Sequence, residues 1–273
     1  MNRIWHFFSN KGSTVAYAMI TAFFTLVPEG FFQKGFMQCS WPDSVVILIN
    51  RIIVCAIVLV LANVIYWYYR KHRKAVYLKN TSYSISFEYG DLLQIGEGKK
   101  IINFDECFST RIGERPEDIK AGSICGQYLT KYPIEDIQKL IFSSGVKPSG
   151  KSQFRQKDCY TPGTLIPRDD FLLMAFSKLD NNGLGRMSYF QYLDCLNYLW
   201  TQIDRYHGTE DIYLPILGSR ITRFDRELTQ QELLDIMVSS YRLSTKKIRH
   251  PNSLHIVCKE REGFSLNDVY GVN

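Results

Sequence analysis

The sequence predicts an α/β protein: a mixed or largely parallel β-sheet flanked by helices and preceded by a two-helix transmembrane hairpin. Between about residue 83 and residue 258, short apolar strand-like segments alternate with amphipathic helical segments, as expected of a sheet covered by helices. Before them, two stretches with few charges are long enough to enter a bilayer. We therefore assign residues 1–74 to a transmembrane hairpin and residues 75–273 to one soluble ligand-binding domain.

The first apolar stretch covers residues 13–32 and carries no charge before Glu29. The second covers residues 45–69, with Arg51 near its start and the aromatic triplet 67–69 at its end. An arginine near the end of a span can extend to the interface, and tryptophan and tyrosine are enriched there. No small-residue cleavage site follows the first stretch, so we expect an uncleaved helix and not a signal peptide.

The distribution of basic residues predicts the orientation of the hairpin. The connector between the stretches holds one lysine, whereas both flanks are basic, with Arg3, Lys11, Arg70, Lys71, Arg73 and Lys74. The positive-inside rule places both ends in the cytoplasm, and attraction to membrane lipid headgroups is a by-product. The net charge of +6 is modest, and the soluble part has no compact basic–aromatic patch, so we expect no nucleic-acid partner.

The soluble part divides into predicted strands and helices in the following order. Strands are predicted in YSISFEYGDLL (83–93), KKIINF (99–104), DFLLMAFSKL (170–179), IYLPIL (212–217) and SLHIVC (253–258). Helices are predicted at 123–132, at 133–144 with Pro133 in the first turn, at 188–206, and at 229–241 behind a capping box of Thr229 and Glu232. The core face of the third helix is predicted to hold Phe190, Leu193, Leu196, Leu199, Trp200 and Ile203.

The segment KLDNNGLGRMSYFQ (178–191) has the outline of a calcium-binding loop. Counted from Asp180, Asn182 and Gly185 fit positions 3 and 6 of an EF-hand. Position 5 is Leu184 and position 12 is Gln191, so two required oxygen ligands are missing. We interpret Asp-Asn-Asn-Gly as a tight turn that joins a buried strand to a long helix, and expect no metal.

Other sequence patterns of chemistry are missing from the chain. The seven cysteines include no CxxC pair, which argues against a zinc site or a disulfide framework and suits a reducing compartment. GEGKK (96–100) lacks the first glycine of a Walker loop, and neither HExxH nor GxSxG occurs. We therefore expect no catalytic residue and no cofactor.

Three segments near strand ends can bind a ligand. In GDLL (90–93), Asp91 can accept a hydrogen bond from the amine of a bound base, although a strand-ending turn explains the residue equally well. In KAGSICGQ (120–127), small residues lead into a helix whose N-terminus can bind an anion or simply be capped. In PILGSRITRF (215–224), backbone amides from 218 to 221 can cradle a phosphate, with Arg220 or Arg223 adding charge or facing solvent.

Together these segments resemble a macro domain, the fold that binds ADP-ribose. GDLL resembles the GDIT-like motif, whose aspartate would be Asp91 and would bind the adenine amine. IINFDE resembles a strand that often reads IVNAAN, with Asn103 at the first asparagine and Glu106 in place of the second. SICGQ stands at the glycine-rich first phosphate loop, and PILGSRITRF resembles the second, P-x-L-G-[ST]-G, with Arg220 replacing its last glycine.

A membrane hairpin followed by such a domain is similar to the TM–macro effector of the Thoeris antiphage defence system. The resemblance implies a non-catalytic, multi-pass receptor in the bacterial inner membrane, with its macro-like domain in the cytoplasm. Its ligand would be a nucleotide second messenger, an ADP-ribose derivative that a TIR-domain protein makes from NAD, understood to be a histidine conjugate. Binding would drive assembly into a homo-oligomer that damages the membrane.

The resemblance also defines the candidate ligand-binding residues. They are Asp91, Leu92, Asn103, Ser123, Ile124, Cys125, Gly126, Gly218, Ser219, Arg220 and Ile221. Two other functions stay open at this point. One is a membrane-tethered ADP-ribosyl hydrolase, an activity that some macro domains have. The other is a structural membrane anchor that carries a partner-binding domain.

Overall fold

The computed structural model describes residues 11–33, 41–219 and 222–271. The chain forms two compact units whose boundary falls between Arg73 and Lys74. We describe each unit by itself.

The N-terminal unit consists of apolar helices. They are α1 (Lys11–Leu26), the single turn α2 (Gly30–Gln33) and α3 (Asp43–Lys71). Among the described residues, α3 is the helix long and apolar enough to cross a membrane. The 16 residues of α1 extend about 24 Å at about 1.5 Å per residue, less than a ~30 Å hydrocarbon core. The structure therefore supports the predicted span at residues 45–69, whereas the span at residues 13–32 stays a prediction.

Polar side chains connect α3 to the segment that contains α1 and α2. The Asn50 amide donates to the Phe32 carbonyl at 2.8 Å, and the Asn63 amide donates to the Ser13 hydroxyl at 3.1 Å. Arg51 forms an ion pair with Glu29 at 3.1 Å. These contacts satisfy polar groups inside the hairpin.

The C-terminal unit contains one large mixed sheet and a small separate hairpin. The described strands are β1 (Ala75–Lys79), β2 (Ser84–Tyr89), β3 (Lys99–Asp105), β4 (Gly150–Lys151), β5 (Asp158–Cys159), β6 (Leu165–Arg168), β7 (Phe171–Leu179), β8 (Gly185–Met187), β9 (Ile212–Pro215), β10 (Arg223–Phe224) and β11 (Leu254–Cys258). Across the sheet the order is β1-β2-β11-β9-β3-β7-β8-β10, with β6 also beside β7 and β4–β5 apart. This architecture confirms the predicted mixed sheet.

The centre of the sheet is parallel and opens at one edge. Strands β2, β11, β9, β3 and β7 all run in the same direction, so their carboxyl ends meet at one edge. The pairing of β3 with β9 covers Lys99↔Ile212 and Lys100↔Tyr213 and then ends. Beyond this point the two strands separate, which leaves a crevice at the edge where open α/β sheets bind ligands.

Helices cover both faces of the sheet. They are α4 (Ile124–Lys131), α5 (Ile137–Ser143), α6 (Tyr189–Tyr206) and α7 (Gln230–Leu243). The buried residues of α6 and α7 share one apolar core with the sheet, and those of α4 and α5 share the other. Within the larger core, the indole N–H of Trp200 donates to the Ser240 hydroxyl at 3.0 Å, so the polar atom of a buried tryptophan is satisfied.

The structure corrects several predicted details. The helix predicted from Pro133 begins at Ile137, because the Asp136 carboxylate caps it by accepting from the Lys139 amide at 3.1 Å. Phe190 lies on α6 but is 74% exposed and does not belong to the core. Strand β2, predicted to be half-buried, is buried over Ser84–Phe87, so side chains on both its faces are covered. This is expected of an inner strand in a sheet that has helices on both faces.

The calcium-like segment is the turn of a β-hairpin. It connects β7 to β8, and the short β8 was not predicted before the long helix. The Asp180 carboxylate accepts from the amides of Asn182 and Leu184, at 2.9 and 3.0 Å, and from Arg186 at 2.6 Å. The Arg186 hydrogen bond, with those amides, holds the pKa of Asp180 below its usual value. Gln191 forms a capping box with Ser188 at the start of α6.

Candidate functional site

A groove runs along the carboxyl edge of the sheet, where β3 and β9 separate. Its larger part has a volume of about 140 Å³ and its smaller part about 40 Å³. The two parts share Ile124, Pro215, Ile216 and Ser219, so they form one continuous groove. The predicted residues that line it are Leu92, Asn103, Ser123, Ile124, Cys125, Gly218 and Ser219.

Asp91 lies at the narrow end of the groove, in the turn after β2. Its neighbours Gly90 and Leu92 line the groove, whereas Asp91 itself is exposed beside it. One carboxylate oxygen accepts from the Leu93 amide at 3.1 Å and caps a short 3₁₀ turn. The aspartate is thus held in place by its own backbone, next to the opening of the groove.

The N-terminus of α4 forms one wall of the groove. The Ser123 hydroxyl accepts from the Gly126 amide at 2.9 Å and donates to the Lys120 carbonyl at 2.7 Å, so it is committed to capping. Of the two roles that the sequence left open for this segment, the hydroxyl therefore has the capping role. The first-turn amides of Ile124 and Cys125 have no intrahelical acceptor, because the first N–H groups of a helix never do. Both residues line the groove, which places positive backbone dipoles there.

Gly126 lies behind this wall and does not line the groove. A Cβ atom at Gly126 would lie 2.3 Å from the Lys120 carbonyl oxygen and 2.9 Å from the Ala121 Cα. The glycine therefore allows the 120–123 loop to pack directly on the helix. Gly126 therefore shapes the wall, and the sequence alone did not predict this role.

The loop after β9 forms the opposite wall. Gly218 has a φ of +82°, and a Cβ atom there would lie 2.7 Å from the Phe224 ring. The Ser219 carbonyl accepts from Arg261 at 3.1 Å, which fixes the loop. Arg220 and Ile221, the other two predicted residues of this loop, lie outside the described residues.

Strand β3 supplies the floor of the groove. Asn103 and Asp105 both line it, and Asp105 was not among the predicted residues. The Asp105 carboxylate accepts from the amides of Cys107 and Ser109, at 2.8 and 3.1 Å. Burial raises the pKa of Asp105, although these two hydrogen bonds act in the opposite direction. The motif NFD contained this signal, because Asp105 is the second residue after Asn103 and lies on the same side of the strand.

Glu106 follows Asp105 but does not line the groove. It is buried, with 5% of its surface exposed. Its carboxylate accepts from the Ser152 hydroxyl at 2.6 Å and from the Leu179 amide at 3.1 Å. Both contacts connect β3 to neighbouring segments, so this glutamate holds the fold together behind the groove.

The wide end of the groove is acidic. Glu117 and Asp118 line it together with Asp105, against one nearby lysine, Lys120. Asp118 is paired with Arg111 at 3.2 Å, and Glu117 with Arg155 at 3.3 Å. The sequence did not point to these acids, because they lie in a loop with no recognisable strand or helix.

A comparison with known families assigns this domain to a family. Residues 85–259 match the family model of the Thoeris protein ThsA macro domain. The chain belongs to the ThsA macro-domain family. The match covers the five parallel strands and the loops that form the groove.

Known relatives agree with this assignment. The Thoeris protein ThsA of Bacillus amyloliquefaciens (strain Y2) is 27% identical over 196 residues, which cover 67% of this chain and 65% of that protein. The ThsA match thus spans slightly less than two thirds of the relative. Similar solved structures are an Oceanobacillus iheyensis macrodomain variant (TM-score 0.45, 9% identity, 69% of this chain and 91% of that one) and the macrodomain of Thermus aquaticus DarG (0.39, 12%, 65% and 98%). At these TM-scores neither structure bears on the site.

Within residues 11–33, 41–219 and 222–271, no three His, Cys, Asp or Glu side chains are grouped so that they could hold a metal ion. The polar groups that line the groove of this ThsA-type macro domain include backbone amides, the side-chain amides of Asn103 and Gln230, hydroxyls, carboxylates and Lys120. Such a set recognises a polar organic ligand by hydrogen bonds and dipoles.

Proposed function

We propose that this chain is a Thoeris defence receptor that binds an ADP-ribose-type nucleotide in the groove. The observation that carries the proposal is the continuity of the groove from the turn at Asp91, past the α4 N-terminus, to the acidic end. A nucleoside diphosphate sugar has the same order of parts: a base, a diphosphate and a polar distal group. Membership of the ThsA macro-domain family supports the same conclusion.

The contacts suggest how such a ligand lies. The base would occupy the narrow part beside Leu92, with its amine donating to Asp91. The diphosphate would lie between the α4 N-terminus and the loop at Gly218 and Ser219, whose backbone dipoles suit an anion. The distal ribose would then reach Asn103 on the floor of the groove.

The acidic end bears on the distal group. Asp105, Glu117 and Asp118 line that end, and Glu117 and Asp118 are each already paired with an arginine. Their carboxylate oxygens can still accept hydrogen bonds, so a distal group with N–H donors suits this end of the groove. A histidine conjugate of ADP-ribose, made from NAD by a TIR-domain partner, has an amine in this position. We propose this conjugate as the messenger.

The N-terminal unit supplies the output of the proposed receptor. Helix α3 is apolar enough to cross the bacterial inner membrane, with the macro domain in the cytoplasm. A ligand can change a membrane assembly only if it binds one state better than the other. Ordering of the two groove walls by the diphosphate would provide that difference, and homo-oligomers would then disrupt the membrane.

The position of Glu106 argues against an ADP-ribosyl hydrolase that would use this residue. The Glu106 carboxylate is buried behind the groove and already accepts two hydrogen bonds. It is therefore not placed to activate a water molecule next to a bound ligand. Multiple turnover of an ADP-ribosylated protein by the purified chain would overturn the receptor proposal in favour of the hydrolase.

Calorimetric titration of the detergent-solubilised chain with ADP-ribose tests the binding step. Asp91→Asn keeps an oxygen that can cap the Leu93 amide but removes the charge, so the fold is retained. Loss of a charged acceptor is expected to weaken binding about tenfold. Asp158→Asn, on the separate β4–β5 hairpin, is the matched control and should bind like wild type. Equal affinity of all three proteins would exclude the proposed position of the base.

Leakage from liposomes tests the output. Purified chain in sealed vesicles should release a trapped dye only after the histidine conjugate of ADP-ribose is added. Asp91→Asn should shift the response to higher ligand concentration by the factor measured in calorimetry. Leakage that is the same with and without nucleotide would refute ligand gating.

A further inference from the structure

A second cavity lies away from the groove, near the amino ends of β3 and β7. Its volume is about 400 Å³, and none of its lining residues belongs to the groove. Lys100 on β3, Arg168 on β6 and Lys131 on α4 line it, together with the aromatic rings of Phe171 and Tyr128. Asp169 and Asp170 line it as well, so the cavity combines three cations, two carboxylates and an apolar wall.

Lys100 is the unusual member of this set. It is buried, with only 3% of its surface exposed. An ammonium group has three N–H donors. In the described structure, Lys100 Nζ donates to the Gly96 carbonyl at 3.3 Å and lies 5.7 Å from the centroid of the Phe171 ring. One long hydrogen bond and one ring contact leave donor capacity directed at the cavity, and a buried charge with so few partners is costly.

The neighbouring charges show which partner the cavity lacks. Arg168 donates to the Tyr128 hydroxyl and to the carbonyls of Tyr132 and Pro133, each at 2.9 Å, so its guanidinium is well satisfied. Asp169 and Asp170 also line the cavity; both are exposed, and neither forms an ion pair with Lys100 in the described structure. Solvent screens these exposed carboxylates, whereas the buried ammonium is screened far less.

Lys131 completes the cavity from the solvent side. It is exposed, and its Nζ donates to the Leu93 carbonyl at the long distance of 3.4 Å. Its Nζ also lies 5.3 Å from the centroid of the Tyr132 ring. One long hydrogen bond and one exposed ring contact leave N–H donors of this lysine for a ligand. The buried Lys100 and the exposed Lys131 thus approach the same cavity from two sides.

We propose that this cavity is a second binding site, for a small organic or inorganic anion with a phosphate or carboxylate group. The anion accepts hydrogen bonds from Lys100 and Lys131, and the aromatic wall packs against any carbon skeleton. The volume lies within the range of about 300–1,000 Å³ that is usual for small-molecule sites. The proposal rests on Lys100 and its surroundings and is independent of the nucleotide groove.

Amine-reactive labelling of the full-length chain in detergent, read by mass spectrometry, tests the site at residue level. Inorganic phosphate and citrate are the two probes, each compared with sodium chloride at the same ionic strength. At a probe concentration of about twice its Kd, labelling of Lys131 should slow about threefold. The exposed Lys139 on α5 is the internal control and should be labelled at an unchanged rate. Protection by phosphate alone or citrate alone would show which oxyanion the site prefers.

Two further arms locate the bound anion. Lys100→Met keeps the length and apolar stem of the side chain, and it should abolish the protection of Lys131. An excess of ADP-ribose should leave the protection unchanged, whether or not that nucleotide binds the groove. The proposal is overturned if neither probe slows labelling of wild-type Lys131, if protection persists in Lys100→Met, or if ADP-ribose removes it. The wild-type arms decide the question even if Lys100→Met does not fold.

Discussion

Helix α3 of the N-terminal unit and helix α6 of the macro domain differ in how much of their apolar surface they bury. In the 29 residues of α3, the buried ones are Val46, Asn50 and Asn63. In the 18 residues of α6, they are Tyr192, Cys195, Leu196, Leu199, Trp200, Gln202 and Ile203. The longer helix buries two amides and exposes most of its apolar side chains, whereas the shorter one buries mainly apolar and aromatic side chains. This difference indicates that the two helices are built for different solvents.

The exposed surface of α3 makes the same point. Leu48, Ile52, Val60, Leu61, Val64 and Ile65 are each more than half exposed. In water such a surface would be unfavourable, because burying each of these side chains would stabilise the fold by about 1.5–3 kcal/mol. In a bilayer the cost disappears, and the amides of Asn50 and Asn63 then need partners inside the hairpin. The hydrogen bonds to Phe32 and Ser13 provide them.

The largest effect is expected when a polar side chain enters the core of the macro domain. Leu196→Asn buries an amide without a partner and removes packing at a fully buried position. We expect a loss of about 4 kcal/mol in the free energy of unfolding, measured by urea denaturation of the solubilised chain with near-ultraviolet circular dichroism. Phe190→Asn, at an exposed position of the same helix, should change it by less than about 0.5 kcal/mol. Equal losses would mean that burial does not separate the two faces of α6.

A smaller loss is expected where the backbone of the macro domain is tightly packed. Gly126→Ala brings a methyl group 2.3 Å from the Lys120 carbonyl oxygen, so the 120–123 loop must move. We expect the free energy of unfolding to fall by about 2 kcal/mol and the affinity for ADP-ribose to fall as well. Gly122→Ala is the matched control, because a Cβ atom there meets nothing within 4 Å. If both variants behaved alike in denaturation and calorimetry, close packing would not explain the glycine.

Replacement of a buried amide in the hairpin by an apolar side chain is expected to have a modest effect. Asn63→Leu removes the hydrogen bond to Ser13, which is worth about 0.6 kcal/mol on average between membrane helices. The stability of the hairpin, measured by unfolding in bicelles, should fall by about this amount, while the macro domain unfolds as before. Val64→Leu, at an exposed apolar position, is the control and should have no effect. A more stable Asn63→Leu hairpin would show that the amide is not used as described.

The smallest effect is expected for an exposed charge in the β7–β8 turn. The pKa of Asp180 is lowered chiefly by Arg186, so the ionised carboxylate is stabilised in the folded state. This stability is present above the unfolded pKa and is lost as the pH falls through the folded pKa. Asp180→Asn should therefore lower the Tm slightly at pH 7, and the difference should vanish at the lowest pH at which the chain stays folded.

Removal of the partner provides the check on this assignment. Arg186→Gln should reproduce the small Tm loss at pH 7, because it breaks the same ion pair. A difference between wild type and Asp180→Asn that grew as the pH fell would contradict the role given to Arg186.

Local signals in the sequence predicted much of the fold. The strand KKIINF and the long apolar strand at 170–179 were recognised because their composition and length are typical of buried strands. The capping box of Thr229 and Glu232 is formed as predicted, because both partners lie within one turn. The short β8 and the late start of α5 were missed, because two or three residues of strand carry no periodicity and a capping aspartate competed with a proline.

The groove was predicted only in part. The segments GDLL, SICGQ and PILGS lie along it, because strand ends and a helix N-terminus leave a local pattern in the sequence. The acidic end, formed by Asp105, Glu117 and Asp118, was not predicted. Its loop has no regular structure, and nothing local shows that residues 117–118 approach β3.

The sequence by itself determined that the chain has an apolar segment long enough to span a membrane and an α/β domain built on a mixed sheet. Apolar run length, basic flanks and the alternation of strands with helices are properties of neighbouring residues, so they can be recognised without coordinates. The tertiary structure alone decided that Ser123 is a cap, that Glu106 faces away from the groove, and that Lys100 is buried beside a second cavity. These facts depend on which distant side chains share a space, and the separation of β3 from β9 fixes that space.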